Sequence, residues 1–130
     1  MYKRQTDVTG FGLAGHALKM AMASKVSIKI SMNKVPLIGN VYNLIDDGCI
    51  PGASFRNLEF VEEHLLPSPV LDYNLKMIAF DAQTSGGLLM SVSPHNAEKV
   101  LTDLHTTGLT SASVIGEVIE LQGKYIYMEE

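Results

Sequence analysis

The chain has 130 residues, 46% of them hydrophobic and 18% charged, which suits one folded domain and excludes a disordered or solvating segment. A net charge of -4 without a basic stripe argues against nucleic acid as a main partner. No apolar run approaches the ~18 residues that suggest a membrane span, and the single cysteine, Cys49, excludes an internal disulfide and a cysteine-based zinc cluster.

Residues 1–5 (MYKRQ) carry no periodicity and read as a fragment start or an exogenous tail, ahead of one domain spanning residues 6–130. They also lack the apolar stretch of a signal peptide, so a cytoplasmic location is expected. Residues 6–17 (TDVTGFGLAGHA) then place one carboxylate, two hydroxyls and three glycines at the mouth of a helical run. Glycines let a ligand approach the backbone, and a first helical turn offers N–H groups to anions. The Asp7 carboxylate at that place can hold Mg²⁺, which can bridge to phosphate oxygens. The combination makes half of a nucleotide site. It is not the dinucleotide fingerprint, because no useful strand is predicted ahead of it, nor a P-loop, because no Gly-Lys-Ser/Thr follows. Spacing alone favours the plainer account, an Asp or Thr capping a tightly packed helix.

The helix itself is predicted over residues 10–23, capped by Thr9 or Asp7. Leu13, Ala17, Met20 and Ala21 form its apolar stripe, widened by Phe11, Leu18 and Met22. His16 and Lys19 make a narrow polar wedge, where His16 reads as a surface or core-edge residue rather than a ligand. Residues 26–32 alternate, with Val26, Ile28, Ile30 and Met32 on one face: a half-buried strand. Pro36 stops it. Leu37, Ile38, Val41, Leu44 and Ile45 repeat at helical spacing, and Gly48 sits where a left-handed C-terminal residue belongs. Asp46 and Asp47, adjacent on a helix, point about 100° apart and do not form a metal pair. Cys49 reads as a half-buried, inert thiol.

Residues 49–57 are expected to form a turn-rich loop, in which Arg56 can fork onto phosphate or pin the loop by a salt bridge. Residues 58–66 fit either a helix or a strand. A short helix is predicted over 71–80, then a second glycine motif over 81–87 and an apolar strand over 88–92. The glycine pair permits a sharp turn there. Ser93-Pro94 start the next helix, with Ala97, Val100, Leu101 and Leu104 toward the core, His95 and His105 off that stripe, and Gly108 at its end. A strand over 113–121 with a bulge at Gly116 turns at Gln122-Gly123 into a terminal hairpin. This order predicts an α+β fold of mixed α/β layers, with a four- or five-stranded mixed sheet covered by helices.

TDVTGFGLAGHALKMA at residues 6–21 and FDAQTSGGLLMSV at 80–92, with PGASFRN at 51–57 between them, closely resemble the C-terminal domain of the selenide, water dikinase (selenophosphate synthetase) family. The same domain type occurs in aminoimidazole ribonucleotide (AIR) synthetase. The resemblance implies the AIR synthase C-terminal architecture and a share in making selenophosphate, AMP and phosphate from ATP, selenide and water. It makes Asp7 a Mg²⁺ ligand, puts Thr9, Gly10 and Gly12 near the ATP phosphates, and makes Arg56, Thr84, Ser85, Gly86 and Gly87 structural or interface residues. One departure is Ala82, where family sequences typically have Pro; the change loosens the φ constraint on that loop. The family's reactive Cys or selenocysteine, essential Lys and other metal-binding Asp residues belong to an N-terminal domain absent from these residues. That domain is the expected partner, the full enzyme is expected to be a homodimer, and the fragment alone is expected to be inactive. A non-catalytic binding or dimerisation domain on the same scaffold, and a relative acting in purine biosynthesis or hydrogenase maturation, are the alternatives.

Overall fold

The computed structural model describes residues 4–130. In chain order the elements are β1 (Arg4–Asp7), α1 (Gly12–Ser24), β2 (Val26–Ser31), a 3-10 turn (Met32–Lys34), α2 (Val41–Asp46), α3 (Gly52–Glu62), β3 (Leu65–Pro67), α4 (Tyr73–Ile78), β4 (Leu88–Ser91), α5 (Pro94–Thr106), β5 (Gly116–Glu120) and β6 (Ile126–Glu129). A four-stranded mixed sheet has the order β3-β6-β2-β5, and β1 pairs separately with β4. The expected α+β architecture is therefore present.

The alternating run forms the centre of the sheet: β2 pairs antiparallel with β5 and parallel with β6. Ile30 is buried as its pattern requires, but so is Ser27 on the other face. A buried hydroxyl is tolerated only when bonded. Ser27 Oγ donates to Lys124 O at 2.6 Å and accepts from Gln122 N–H at 3.0 Å. Those bonds hold the β5–β6 connection across the end of β2, so the two last strands lie on either side of it. The terminal hairpin expected from the sequence is thus replaced by a crossover.

α1 presents Ala14, Ala17, Leu18 and Ala21 to the core, all fully buried, together with Val61, Phe80, Ile126 and Met128. Each large side chain in that set contributes about 1.5–3 kcal/mol relative to exposure. Expected and observed helices differ at several ends. No side chain caps α1, whose N-cap is Phe11, because Asp7 lies in β1 and the Thr9 hydroxyl faces His16. α2 starts later than its apolar spacing suggests, after Asn40 in the left-handed region (φ 69°). Its end matches: Gly48 has φ 82°, with Gly48 N–H to Ile45 O at 2.9 Å and Cys49 N–H to Leu44 O at 2.8 Å. These bonds close a Schellman turn.

The turn-rich loop expected over residues 49–57 is instead mostly helix. Pro51 has extended backbone angles and precedes α3, which carries Arg56 and Asn57. Pro-Gly thus marks a helix start here rather than an isolated turn. Residues 58–66 resolve into the end of α3 and then β3. Cys49 is exposed, not half-buried, and borders a groove of about 190 Å³ with Leu44, Ser54, Met77 and Asp81. The apolar face of α5 is only half-buried, and none of that helix is fully enclosed. Of the five opening residues, 1–3 lie outside the described residues, while Arg4 and Gln5 pair with Ser91 and Met90 in β1.

Candidate functional site

A short strand does precede the first glycine motif, contrary to expectation: β1 delivers Asp7 opposite Leu88 of β4. Asp7 is exposed, and the next residue, Val8, turns inward and is buried. That reversal is fastened by the second glycine motif. Val8 N–H donates to Gly87 O at 2.9 Å, Gly86 N–H to Val8 O at 2.9 Å, and Gln83 N–H to Thr9 O at 3.2 Å. The two motifs, some seventy residues apart in sequence, are one structural unit.

Close backbone approach explains two of its glycines. Gly12 has φ 69°, and a Cβ there would stand 2.8 Å from the Phe80 carbonyl carbon and 2.9 Å from the Ala79 and Asp81 oxygens. A Cβ on Gly86 would meet Val8 O at 2.8 Å. Gly10 differs: nothing lies within 4 Å of a Cβ built there, so its backbone borders open space. At the helix mouth Gly12 N–H is taken up by Thr9 O and Ala14 N–H by Ala79 O, both at 2.9 Å. Those two amides are therefore not free for an anion, which narrows the phosphate-binding role expected of Gly12 to shaping the turn.

Asn57 on α3 completes the unit. Its buried amide donates at 2.9 Å to Gly10 O and at 2.9 Å to Phe80 O, so a single side chain joins the starts of both motifs. The Asp81 carboxylate accepts from Gln83 Nε2 at 2.6 Å and from Ser54 Oγ at 3.5 Å, which fastens the loop at Ala82. Thr84, Ser85, Gly86 and Gly87 are exposed at the corner. Arg56 is exposed on α3 and makes no salt bridge among the described residues, so the pinning role does not hold.

His16, half-buried, faces both threonines of the first motif. Its Nδ1 lies 3.3 Å from Thr6 Oγ1 and its Nε2 3.1 Å from Thr9 Oγ1. Phe11 packs edge-on against the ring at 5.8 Å between centroids, with Lys19 Nζ 4.0 Å above the Phe11 ring. Desolvation, and next the Lys19 charge, hold the imidazole below its ordinary value of 6.5, while Asp7 pulls the other way. Sequence reasoning set His16 aside and saw Asn57 only as part of a motif. A signal for Asn57 existed: it shares the spacing of Ser54 and Val61, both buried on α3. For His16 nothing local distinguished a wedge residue from a bridging one.

Among the described residues no three or more His, Cys, Asp or Glu side chains are grouped to hold a metal ion. Asp7 supplies one carboxylate. Mg²⁺ takes six oxygen ligands, commonly one or two protein carboxylates with water and phosphate. The donor chemistry at Asp7 therefore fits a single contribution to a shared shell.

The model of the AIR synthase related protein C-terminal domain family matches residues 3–129. The chain belongs to this family. Among similar members, a selenide, water dikinase of Porphyromonas gingivalis is 51% identical over 112 residues, covering 85% of this chain and 32% of that protein. A selenide, water dikinase of Clostridioides difficile is 40% identical over 121 residues, covering 93% of this chain and 35% of the relative. The chain thus spans about a third of the length of the curated relatives it matches. The crystal structure of HypE from E. coli, a hydrogenase maturation protein, superposes with a TM-score of 0.58 at 25% identity, over 96% of this chain and 31% of that one. This AIR synthase related C-terminal domain accordingly carries both glycine motifs on the expected scaffold.

Proposed function

We propose that this chain is the C-terminal domain of a selenophosphate synthetase, which makes selenophosphate, AMP and phosphate from ATP, selenide and water. In this reading Asp7 lends a carboxylate oxygen to Mg²⁺ at an ATP site completed by the N-terminal domain of a longer, homodimeric, cytoplasmic protein. The observation that carries it is the exposure of Asp7 at the corner where the two family motifs lock together. Mg²⁺, when bound, neutralises charge that develops on the phosphates during transfer. The chain's own residues hold Asp7 outward, leave open space beside the Gly10 Cα, and keep the Thr9 turn rigid through Asn57. Exposed Arg56 and the 84–87 corner form part of the surface that meets the other domain. Among the described residues no group of three or more metal-ligating side chains surrounds Asp7, so in this reading the chain by itself does not turn over ATP.

The experiment is Asp7→Asn in the longer protein, following selenide-dependent AMP formation against Mg²⁺ concentration. Activity falls by about a hundredfold, the scale on which one preorganised electrostatic partner counts. Unchanged turnover and Mg²⁺ dependence remove Asp7 from the mechanism. The likeness to a hydrogenase maturation protein supports a second reading, which AMP formation independent of selenide would favour.

A further inference from the structure

The exposed Asp7 side chain makes no hydrogen bond among the described residues, so its direction is set by the backbone on either side. That backbone lies in a four-residue strand of a two-stranded ribbon, an arrangement of marginal stability on its own. Beyond Asp7, the Val8 bonds to Gly86 and Gly87 fix one side. The other side needs its own fastening.

We propose that His16 is a positioning residue: its ring ties Thr6 to Thr9 and thereby fixes where Asp7, which lies between them, presents its carboxylate. This rests on the reading of Asp7 as a Mg²⁺ ligand. The proposal includes the ring's tautomer, the one in which Thr6 Oγ1 gives its single hydrogen to Asp7 O, 3.2 Å away. Toward His16 Nδ1, at 3.3 Å, it can then only accept, so Nδ1 carries the proton. The neutral ring has its lone pair on Nε2, which accepts the Thr9 hydroxyl at 3.1 Å. A directed chain results, from Thr9 O–H through the imidazole and the Thr6 hydroxyl to the Asp7 carbonyl. The packing of Phe11 against the ring holds its plane. The arrangement parallels the outer-shell partners that orient metal ligands, whose loss costs about 10–100-fold in metal affinity.

The test has two arms. Nitrogen-15 spectra of the imidazole in this chain, above pH 7, show a protonated Nδ1 and a lone-pair Nε2, and Thr9→Val moves the Nε2 resonance alone. An Nε2–H ring, or an even mixture of tautomers, overturns the proposal without reference to any activity. In the longer protein, His16→Phe raises the Mg²⁺ needed for half-maximal AMP formation by about tenfold, leaves kcat at saturating Mg²⁺ close to the parent, and is partly rescued by His16→Gln. Should His16→Phe fail to fold, Thr9→Val and Thr6→Val replace it with the same expected shift. Asp7→Asn is measured alongside. If Asp7→Asn raises the Mg²⁺ requirement and the His16 and Thr variants do not, His16 has no positioning role and the metal reading stands. If none of them does, the metal reading fails and takes this proposal with it.

Discussion

Single residues divide the glycine motif into structural and open positions, and stability measurements can separate them. Gly12→Ala forces a side chain into the left-handed region and against the Ala79–Asp81 backbone. It should cost about 3 kcal/mol in urea unfolding, combining strain with overpacking. Gly10→Ala meets nothing and should stay within about 0.5 kcal/mol of the parent; a large loss there would contradict the open space described. Asn57→Ala leaves the buried Phe80 carbonyl and the part-buried Gly10 carbonyl without their donor and should cost about 2 kcal/mol. His16 gives a pH dependence of known sign. Its folded value lies below the ordinary 6.5, so the unfolded chain binds the proton more readily. Its contribution to stability is complete above 6.5 and is lost as pH falls through the lower folded value. Melting temperature followed downward from pH 7.5 should drop less steeply in His16→Gln than in the parent. An identical slope would show that another group carries the effect.

At the scale of elements, the prediction concerns β5. Gly116 pairs with Ile30, and a Cβ on it would collide with the Lys29 backbone. Gly116→Ala should therefore detach the edge strand, seen as lost hydrogen-exchange protection in β5 while α1 stays protected. The glycine expected as a mid-strand bulge thus begins the strand and permits close contact instead. Elements with a strong period were legible: β2, α1 and α5 all lie where their patterns place them. The loop assigned to residues 49–57 failed because Pro-Gly is compatible with both a turn and a helix start, and only the helix buries Ser54, Asn57 and Val61. Likewise Gln122-Gly123 carries good turn chemistry, but a turn does not say which strands it joins. Ser27, nearly a hundred residues upstream, decides that.

For the molecule as a whole, the isolated chain should show no ATP turnover, and millimolar Mg²⁺ should leave its melting temperature unchanged. A ligand that binds only the folded state raises stability by mass action. A clear Mg²⁺-dependent rise would reveal a metal shell the described residues do not contain. Sequence by itself determined the fold class, the strongly periodic elements β2, α1 and α5, and the family, because periodicity and motif wording are local properties of the chain. The choice of Asp7 as candidate ligand came from that wording too. Tertiary structure alone decided that residues 8–12 and 80–87 form one corner, that Asn57 and His16 fasten it, and that Asp7 faces outward. Those outcomes depend on hydrogen bonds between segments far apart in sequence, whose partners no local pattern can name.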